Sequence, residues 1–343
     1  MPIGWGIIGC GEVTEVKSGP ALQYAQDSRL VAVMRRDPEK VEDYARRHGV
    51  PRWNTDADAL IADPEVDAVY VATPPGSHLE YALRACAAGK PVYVEKPMAR
   101  SYVECARMVE AFEGAGLKLF VAYYRRALDR FLKVKEIIDT GKIGPVTGIG
   151  YRYAAPEHRA VDANALPWRL IASESGGGLF VDLGCHLLDL LDFLVGPLER
   201  ISGIAANRAS AFQVEDTVAM HFTTREGTPG VASWNFAGHT GHAPEDRLEI
   251  SGTDGRVAVS VFGVEPVLLS TRRGEESFAL TNPYRIQQPL IQTVVNELLG
   301  KGTCPSTGES GSRASLVMDQ VLSDYYRGRD DEFWLRPETW KRR

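Results

Sequence analysis

The 343-residue sequence contains no uninterrupted apolar run of eighteen residues, so no membrane-crossing helix is expected. Its five cysteines (Cys10, Cys86, Cys105, Cys185, Cys304) are an odd, widely spaced set without a CxxC pair. That spacing argues against a disulfide framework and a zinc knuckle, and the cysteines read as small buried apolar residues. Positive charge is not in excess: 39 Lys and Arg against 45 Asp and Glu give a net charge of −6, dispersed along the chain. Nucleic acid is therefore not an expected partner. Internal repeats and low-complexity tracts are also missing. The start, Met1-Pro2-Ile3-Gly4-Trp5, places no basic segment ahead of an apolar one. A cytoplasmic protein with a small-molecule substrate is the expectation.

At this length two domains are expected, and the patterning changes near residue 122, giving domains at 1–122 and 123–343. Over the first, β-favouring apolar runs at 5–9, 30–34, 68–72, 91–94 and 118–122 alternate with helical patterns, as parallel βαβ units require. The runs are apolar almost throughout, the mark of a sheet covered on both faces. Ser77-His78-Leu79-Glu80 and Ser101-Tyr102-Val103-Glu104 have capping-box spacing, and Gly89 and Gly116 stand where helix C-caps belong. The fold class is α/β, a Rossmann doubly wound parallel sheet, whose ligands bind at the carboxyl ends of the strands. Glu95, Lys96 and Pro97 occupy such an end.

The first turn, Gly9-Cys10-Gly11-Glu12-Val13-Thr14, fills the first two glycine positions of GxGxxG between a strand and a helix. Glycines there permit a tight turn and close approach of a pyrophosphate to helix N-terminal amides. Thr14 in place of the third glycine weakens the motif. The second strand ends in Met34-Arg35-Arg36-Asp37, where NAD enzymes place an acid on the ribose 2′-hydroxyl. A guanidinium pairs with a 2′-phosphate in bidentate fashion, so Arg35 and Arg36 favour NADP(H) over NAD(H). Two alternatives stay open: a solvated charge cluster at a helix start, and NAD binding through Asp37.

In the second domain a helical pattern over 127–139 precedes a strand-like 146–153. Between 198 and 280, short alternating strands (218–222, 231–236, 247–251, 256–259, 267–269) are separated by turns such as Arg225-Glu226-Gly227 and Thr253-Asp254-Gly255. These are hairpins of a large, mainly antiparallel sheet. Helical patterns over 286–299 and 309–326 complete an α+β domain expected to close over the cofactor. The stretch 159–175 has no assigned element.

The most informative block of this half is Gly176-Gly177-Gly178 through Asp182 and His186. Asp182 and His186, four apart, share one face of a helix, where a carboxylate can orient an imidazole. Such an imidazole can move the proton that accompanies hydride transfer at a carbonyl, although a structural salt link has the same spacing. The glycines would let backbone approach a ligand, and Asp189 and Asp192 read as polar-face residues of the same helix. Glu157, His158, Asp182 and His186 match no metal-ligand spacing, so no metal is expected. Trp168, Arg169, Trp234, Asn235, His239, His242 and Glu157-His158-Arg159 would suit a polyol or sugar, while the tryptophans serve equally as core anchors.

Together, Gly6-x-x-Gly9-x-Gly11, Ala72-Thr73-Pro74 with His78, Ala88-Gly89-Lys90, Glu95-Lys96-Pro97 and the Asp182-x-x-x-His186 block resemble the glucose-fructose oxidoreductase, inositol dehydrogenase and MocA (Gfo/Idh/MocA) family. The resemblance implies an NAD(P)-dependent oxidoreductase acting on CH–OH groups of a sugar, polyol or related small molecule. It places Lys96 on the reacting oxygen, with Glu95 orienting it, and makes His186 the acid/base with Asp182 beside it. Implied nucleotide contacts are Gly9, Gly11, Glu12, Val13, Arg35, Arg36, Thr73, Pro74 and His78, with Glu95 and Lys96 at the reactive end. Implied substrate contacts are Tyr123, Arg126, Trp168, Arg169, Asp182 and His186; Tyr123 and Tyr124 are also candidates for proton transfer. Pro75 departs from the asparagine of many relatives. Pairing through the open face of the C-terminal sheet, as homodimer or homotetramer, is implied too. Two other activities share the fold: a non-catalytic nucleotide and sugar sensor, and an NAD-assisted glycoside hydrolase.

Overall fold

The computed structural model describes residues 1–155, 165–208, 212–238 and 244–326. The chain forms two compact units, Met1–Leu128 with Pro283–Ser312, and Asp129–Asn282 with Arg313–Arg343. This differs from the expected single division at 122. The first unit runs on through the buried 3-10 turn Tyr124–Ala127 and takes back the segment 283–312.

In the first unit, strands β1 (Ile3–Ile8), β2 (Ser28–Met34), β3 (Arg52–Asn54), β4 (Ala68–Val71), β5 (Val92–Val94) and β6 (Leu119–Val121) form one sheet in the order β3-β2-β1-β4-β5-β6. Every pairing is parallel. The five apolar runs became β1, β2, β4, β5 and β6; the polar edge strand β3 has no apolar run to announce it. Helices α1 (Glu12–Val16), α2 (Gly19–Tyr24), α3 (Pro38–His48), α4 (Ala57–Ile61), α5 (His78–Ala87) and α6 (Tyr102–Gly114) alternate with the strands.

The helices α5 and α6 start where the capping patterns lie, but neither box closes. Ser101 makes no cap bond, and Glu104 reaches one residue further back to accept from Arg100 N–H at 3.0 Å. The Ser77 hydroxyl turns to Thr73 Oγ1 at 2.8 Å. Gly89 and Gly116 follow the two helices at φ 73° and 65°, the left-handed conformation that closes a helix. The outer edge of β6 is met by the returning segment. Val121 N–H donates to Ser306 O at 3.2 Å, and Ser306 Oγ donates to Val121 O at 2.7 Å. Covering the edge pairs backbone groups that would otherwise template aggregation.

In the second unit, α7 (Asp129–Asp139) leads into β7 (Val146–Ala154), and α8 (Ala172–Ser175) and α9 (Cys185–Val195) precede seven further strands. These are β8 (Leu198–Ala206), β9 (Thr217–Thr224), β10 (Pro229–Asn235), β11 (Glu245–Gly252), β12 (Gly255–Val259), β13 (Val267–Thr271) and β14 (Gly274–Phe278). The sheet order is β14-β13-β12-β11-β7-β10-β9-β8, antiparallel except for the parallel β7–β10 pair. Hairpins turn at 225–227 and 253–255 as expected. Period-2 alternation buries Val218, Met220, Phe222, Ala232 and Trp234 on one face. The opposite face leaves Ile204 73% and Val231 60% exposed.

Candidate functional site

In the first unit, the dinucleotide turn begins at Gly9, whose φ of 92° favours glycine. A Cβ there would lie 2.6 Å from Thr73 Cγ2 and 2.9 Å from Thr73 N, so the β4 loop closes on this position. A Cβ at Gly11 would meet only Gly9 O, at 3.9 Å. The turn therefore has room above Gly11, between the exposed Glu12 and half-buried Val13, and the residues present fit a dinucleotide diphosphate. Thr14 closes its own turn: its hydroxyl donates to Gly11 O at 2.8 Å, and Tyr44 OH donates to Thr14 O at 2.9 Å.

Arg35 leaves β2 against this turn, its Nη1 donating to Cys10 O at 3.1 Å, while Arg36 is exposed. Burial pushes the Cys10 thiol up to about 11, so it stays protonated. Asp37, the acid that would hold a ribose 2′-hydroxyl, caps α3. It accepts from Lys40 N–H at 3.2 Å and pairs with Lys40 Nζ at 3.2 Å. The Lys40 amide holds its carboxyl below the usual range.

Thr73 and Pro74 are half-buried beyond β4, and His78 ties their loop to the turn after β5. Its Nε2 is 2.7 Å from Thr73 O, and its Nδ1 is 3.1 and 3.2 Å from the carbonyls of Pro97 and Met98. Burial pushes the imidazole below its usual range, against the pull of those carbonyls. The Lys96–Pro97 bond is cis. Next to it Glu95 is buried, and its Oε1 accepts from Tyr70 OH at 2.6 Å and Gln287 Nε2 at 2.7 Å. Oε2 accepts from Lys96 N–H at 3.0 Å, and the Lys96 side chain is half-buried. Tyr123 is fully buried, and buried Arg126 donates from Nη1 to Pro305 O at 3.0 Å.

In the second unit, Asp182 lies on a π-helical turn, Phe180–Gly184, that runs into α9. Such turns widen the helix locally and recur at functional sites. Asp182 is half-buried with Arg169 Nε 4.0 Å from its Oδ2, and the Arg169 guanidinium stands 5.7 Å from the Trp168 ring centroid. Trp168, Arg169 and Asp182 are thereby brought together. His186, buried on the first turn of α9, meets the Phe262 ring edge-on at 5.9 Å.

Two readings of this block change, and for Trp234 one of two open alternatives is selected. The glycine run closes on a buried carboxylate rather than on a ligand: Gly178 N–H donates to Glu215 Oε1 at 2.8 Å, and a Cβ on Gly178 would lie 2.6 Å from Glu215 O. Asp189 and Asp192 are buried rather than on a polar face, and Arg313 takes Asp192 as a bidentate pair at 2.6 and 2.9 Å. Trp234 is a core anchor, with Phe180 edge-on at 4.8 Å, while Asn235 is exposed at the end of β10. Glu157, His158, Arg159, His239 and His242 lie outside the described residues. Among the described residues no group of three or more His, Cys, Asp or Glu side chains gathers as metal ligands would.

Sequence reasoning missed Tyr70, Gln287 and Glu215. The one available signal was a polar group inside an apolar frame, as Tyr70 is within Ala68-Val69-Tyr70-Val71.

A glycine turn with room for a diphosphate, set on a six-stranded Rossmann sheet and followed by a second α+β unit, defines a two-domain dinucleotide-binding protein. Residues 3–123 match the oxidoreductase family with an NAD-binding Rossmann fold, and residues 131–258 match the GFO/IDH/MocA C-terminal domain. The chain belongs to the Gfo/Idh/MocA family of NAD-binding oxidoreductases. It is 40% identical to an oxidoreductase of Formosa agariphila over 92% of this chain and 97% of that one. It is 29% identical to the 1,5-anhydro-D-fructose reductase of Ensifer adhaerens over 90% and 91% of the two chains. Among solved structures, levoglucosan dehydrogenase in complex with NADH and levoglucosan superimposes with a TM-score of 0.81, covering 94% of this chain and 97% of that one at 22% identity. No helix among the described residues is long and apolar enough to cross a membrane.

Proposed function

We propose that this protein is a cytosolic, NADP(H)-preferring oxidoreductase that interconverts a CH–OH and a C=O group on a sugar, polyol or related small molecule. The observation that carries the reading is the cluster at the carboxyl ends of β1, β4 and β5. There the open Gly11 turn, the Thr73-Pro74 loop and Lys96 are tied together through His78 and through the packing of Gly9 on Thr73. When bound, the nicotinamide cofactor supplies the hydride acceptor or donor.

Lys96 holds the reacting oxygen and stabilises the negative charge that grows on it during reduction. His186 gives or takes the proton, with Asp182 and Arg169 fixing its surroundings and meeting substrate hydroxyls, and Trp168 offering an apolar face. Tyr123 and Arg126 complete the substrate-side set. Arg35 and Arg36 receive the 2′-phosphate, a preference supported by the engagement of Asp37 in capping α3. Gly9, Gly11, Glu12 and Val13 surround the diphosphate, and Thr73, Pro74, His78 and Glu95 line the nicotinamide end. Exposed Ile204 and Val231 support association through the open face of the second sheet, as a homodimer or homotetramer.

The test is calorimetric titration with NADP, NADPH, NAD and NADH. It is followed by a panel of 1,5-anhydro-D-fructose, levoglucosan, myo-inositol and common aldoses, read at the reduced-nicotinamide absorbance. Turnover that falls about 100- to 1,000-fold in Lys96→Ala and His186→Ala, leaving a measurable residual rate, is the expected result. Tight nucleotide binding with no net redox on any compound points to a sensor or a redox-assisted hydrolase, and absence of nucleotide binding overturns the proposal.

A further inference from the structure

The carboxylate of Glu95 is almost completely buried, yet three donors converge on it. Tyr70 OH and Gln287 Nε2 both reach Oε1, at 2.6 and 2.7 Å, and Lys96 N–H reaches Oε2 at 3.0 Å. A carboxylate presents only acceptors, so three donors satisfy it without a competing acceptor. The donors are themselves fixed. Tyr70 packs face to face on Tyr93, with ring centroids 5.1 Å apart, and its hydroxyl also lies 3.0 Å from Ser18 Oγ. Gln287 is buried, and its Oε1 accepts from Tyr93 OH at 3.3 Å, which sets the amide so that its NH2 faces Glu95. Burial, followed by the neighbouring Glu95 charge, pushes both phenols well above their usual range, so both keep the protons they donate.

Strand β5 ends at Val94, and Glu95 N–H donates to Val71 O at 2.9 Å, so the Glu95 backbone is anchored to β4. Its side chain then curls back to hold the very next amide. The orientation of the Lys96 backbone is thus set by a carboxylate, and the carboxylate is set by residues remote in sequence. Gln287 comes from the segment that returns to the first unit, which gives that return a purpose beyond covering β6.

We propose that Gln287 and Tyr70 are positioning residues for the reaction. Through Glu95 they fix the Lys96 backbone, the root from which its amine reaches the reacting oxygen. This rests on the role proposed for Lys96. A displacement of about 1 Å in a group that contacts the transition state costs on the order of 100-fold in rate.

The test is a double-mutant cycle on the full-length protein with NADPH and whichever compound of the sugar panel is turned over fastest. Gln287→Leu and Tyr70→Phe are each expected to lower kcat about 10- to 100-fold. NADPH affinity is expected to stay within about threefold by calorimetric titration, a split that general unfolding does not produce. In a Lys96→Ala background neither substitution is expected to lower kcat further, because residues acting as one unit are not additive.

Loss of the full single-mutant factor again in the Lys96→Ala background overturns the positioning role while leaving Lys96 itself in place. The positioning role also fails if kcat is unchanged in Gln287→Leu and Tyr70→Phe, or if NADPH affinity falls as much as kcat. A Lys96→Ala protein with wild-type kcat, or a wild-type protein that turns over nothing on the panel, overturns the underlying redox role and this proposal with it.

Discussion

Gly178 N–H donates to the buried Glu215 carboxylate at 2.8 Å, and Tyr326 OH closes the other oxygen at 2.6 Å. Asp182 N–H in turn donates to Gly178 O at 3.2 Å, so the turn carrying Asp182 is seated on Glu215. Glu215→Ala leaves a buried amide and a buried phenol without their acceptor and is expected to cost about 3 kcal/mol of stability. Glu215→Gln keeps the shape, and the Tyr326 hydroxyl can accept from the new NH2, so about 1 kcal/mol is expected. Urea unfolding of both variants gives the comparison.

Gly9 and Gly11 separate folding from binding within one turn. Gly9→Ala combines a positive φ with a Cβ 2.6 Å from the Thr73 side chain, and its expected cost is about 2–4 kcal/mol. Gly11→Ala meets only an oxygen at 3.9 Å and should fold with near wild-type stability. Its methyl occupies the room read as the diphosphate seat, so nucleotide affinity should fall by at least about 10-fold, as titration will show.

Arg35 and Arg36 differ in what else they hold. Arg36 is exposed and Arg35 donates to Cys10 O at 3.1 Å. Arg36→Ala is expected to weaken NADP binding about 10- to 100-fold, the worth of a charge-assisted hydrogen bond to phosphate, with NAD affected little. Arg35→Ala is expected to weaken both nucleotides, since it also releases the glycine turn. Equal losses for both nucleotides in Arg36→Ala would remove the basis for an NADP preference.

Glu15 carries a pH signature. The Arg47 guanidinium, hydrogen-bonded to it, and His48 beside it hold its carboxyl at about 2, below the ordinary 4.5. A depressed folded-state value means the stabilisation is complete above about pH 4.5 and is lost as pH falls towards 2. With its side chain 32% exposed, solvent screening reduces the contribution to roughly 1–2 kcal/mol. Glu15→Gln should therefore be less stable than wild type at pH 7, and the two urea midpoints should converge towards pH 2–3, bracketing the value of about 2.

The sequence by itself determined the parts that depend on local pattern. Five apolar runs specified five Rossmann strands because a sheet covered on both faces favours near-continuous apolar sequence, and Gly89 and Gly116 marked helix ends because glycine adopts the left-handed conformation found there at no steric cost. Gly9-x-Gly11 and Arg35-Arg36 were legible for the same reason: the chemistry sits in consecutive residues. The polar strands β3 and β14 carried no such pattern.

Only the tertiary structure decided what distant residues do to one another. It returned 283–312 to the first unit, bringing Gln287 to Glu95 across 192 positions of sequence. It turned the glycine run towards Glu215 and buried Asp192 against Arg313. Each of these is a choice of partner for a polar group losing water, and burial forces a partner without naming it in the sequence. The partner is whichever donor or acceptor the packed chain delivers within hydrogen-bond reach, and no period of two or 3.6 residues encodes that.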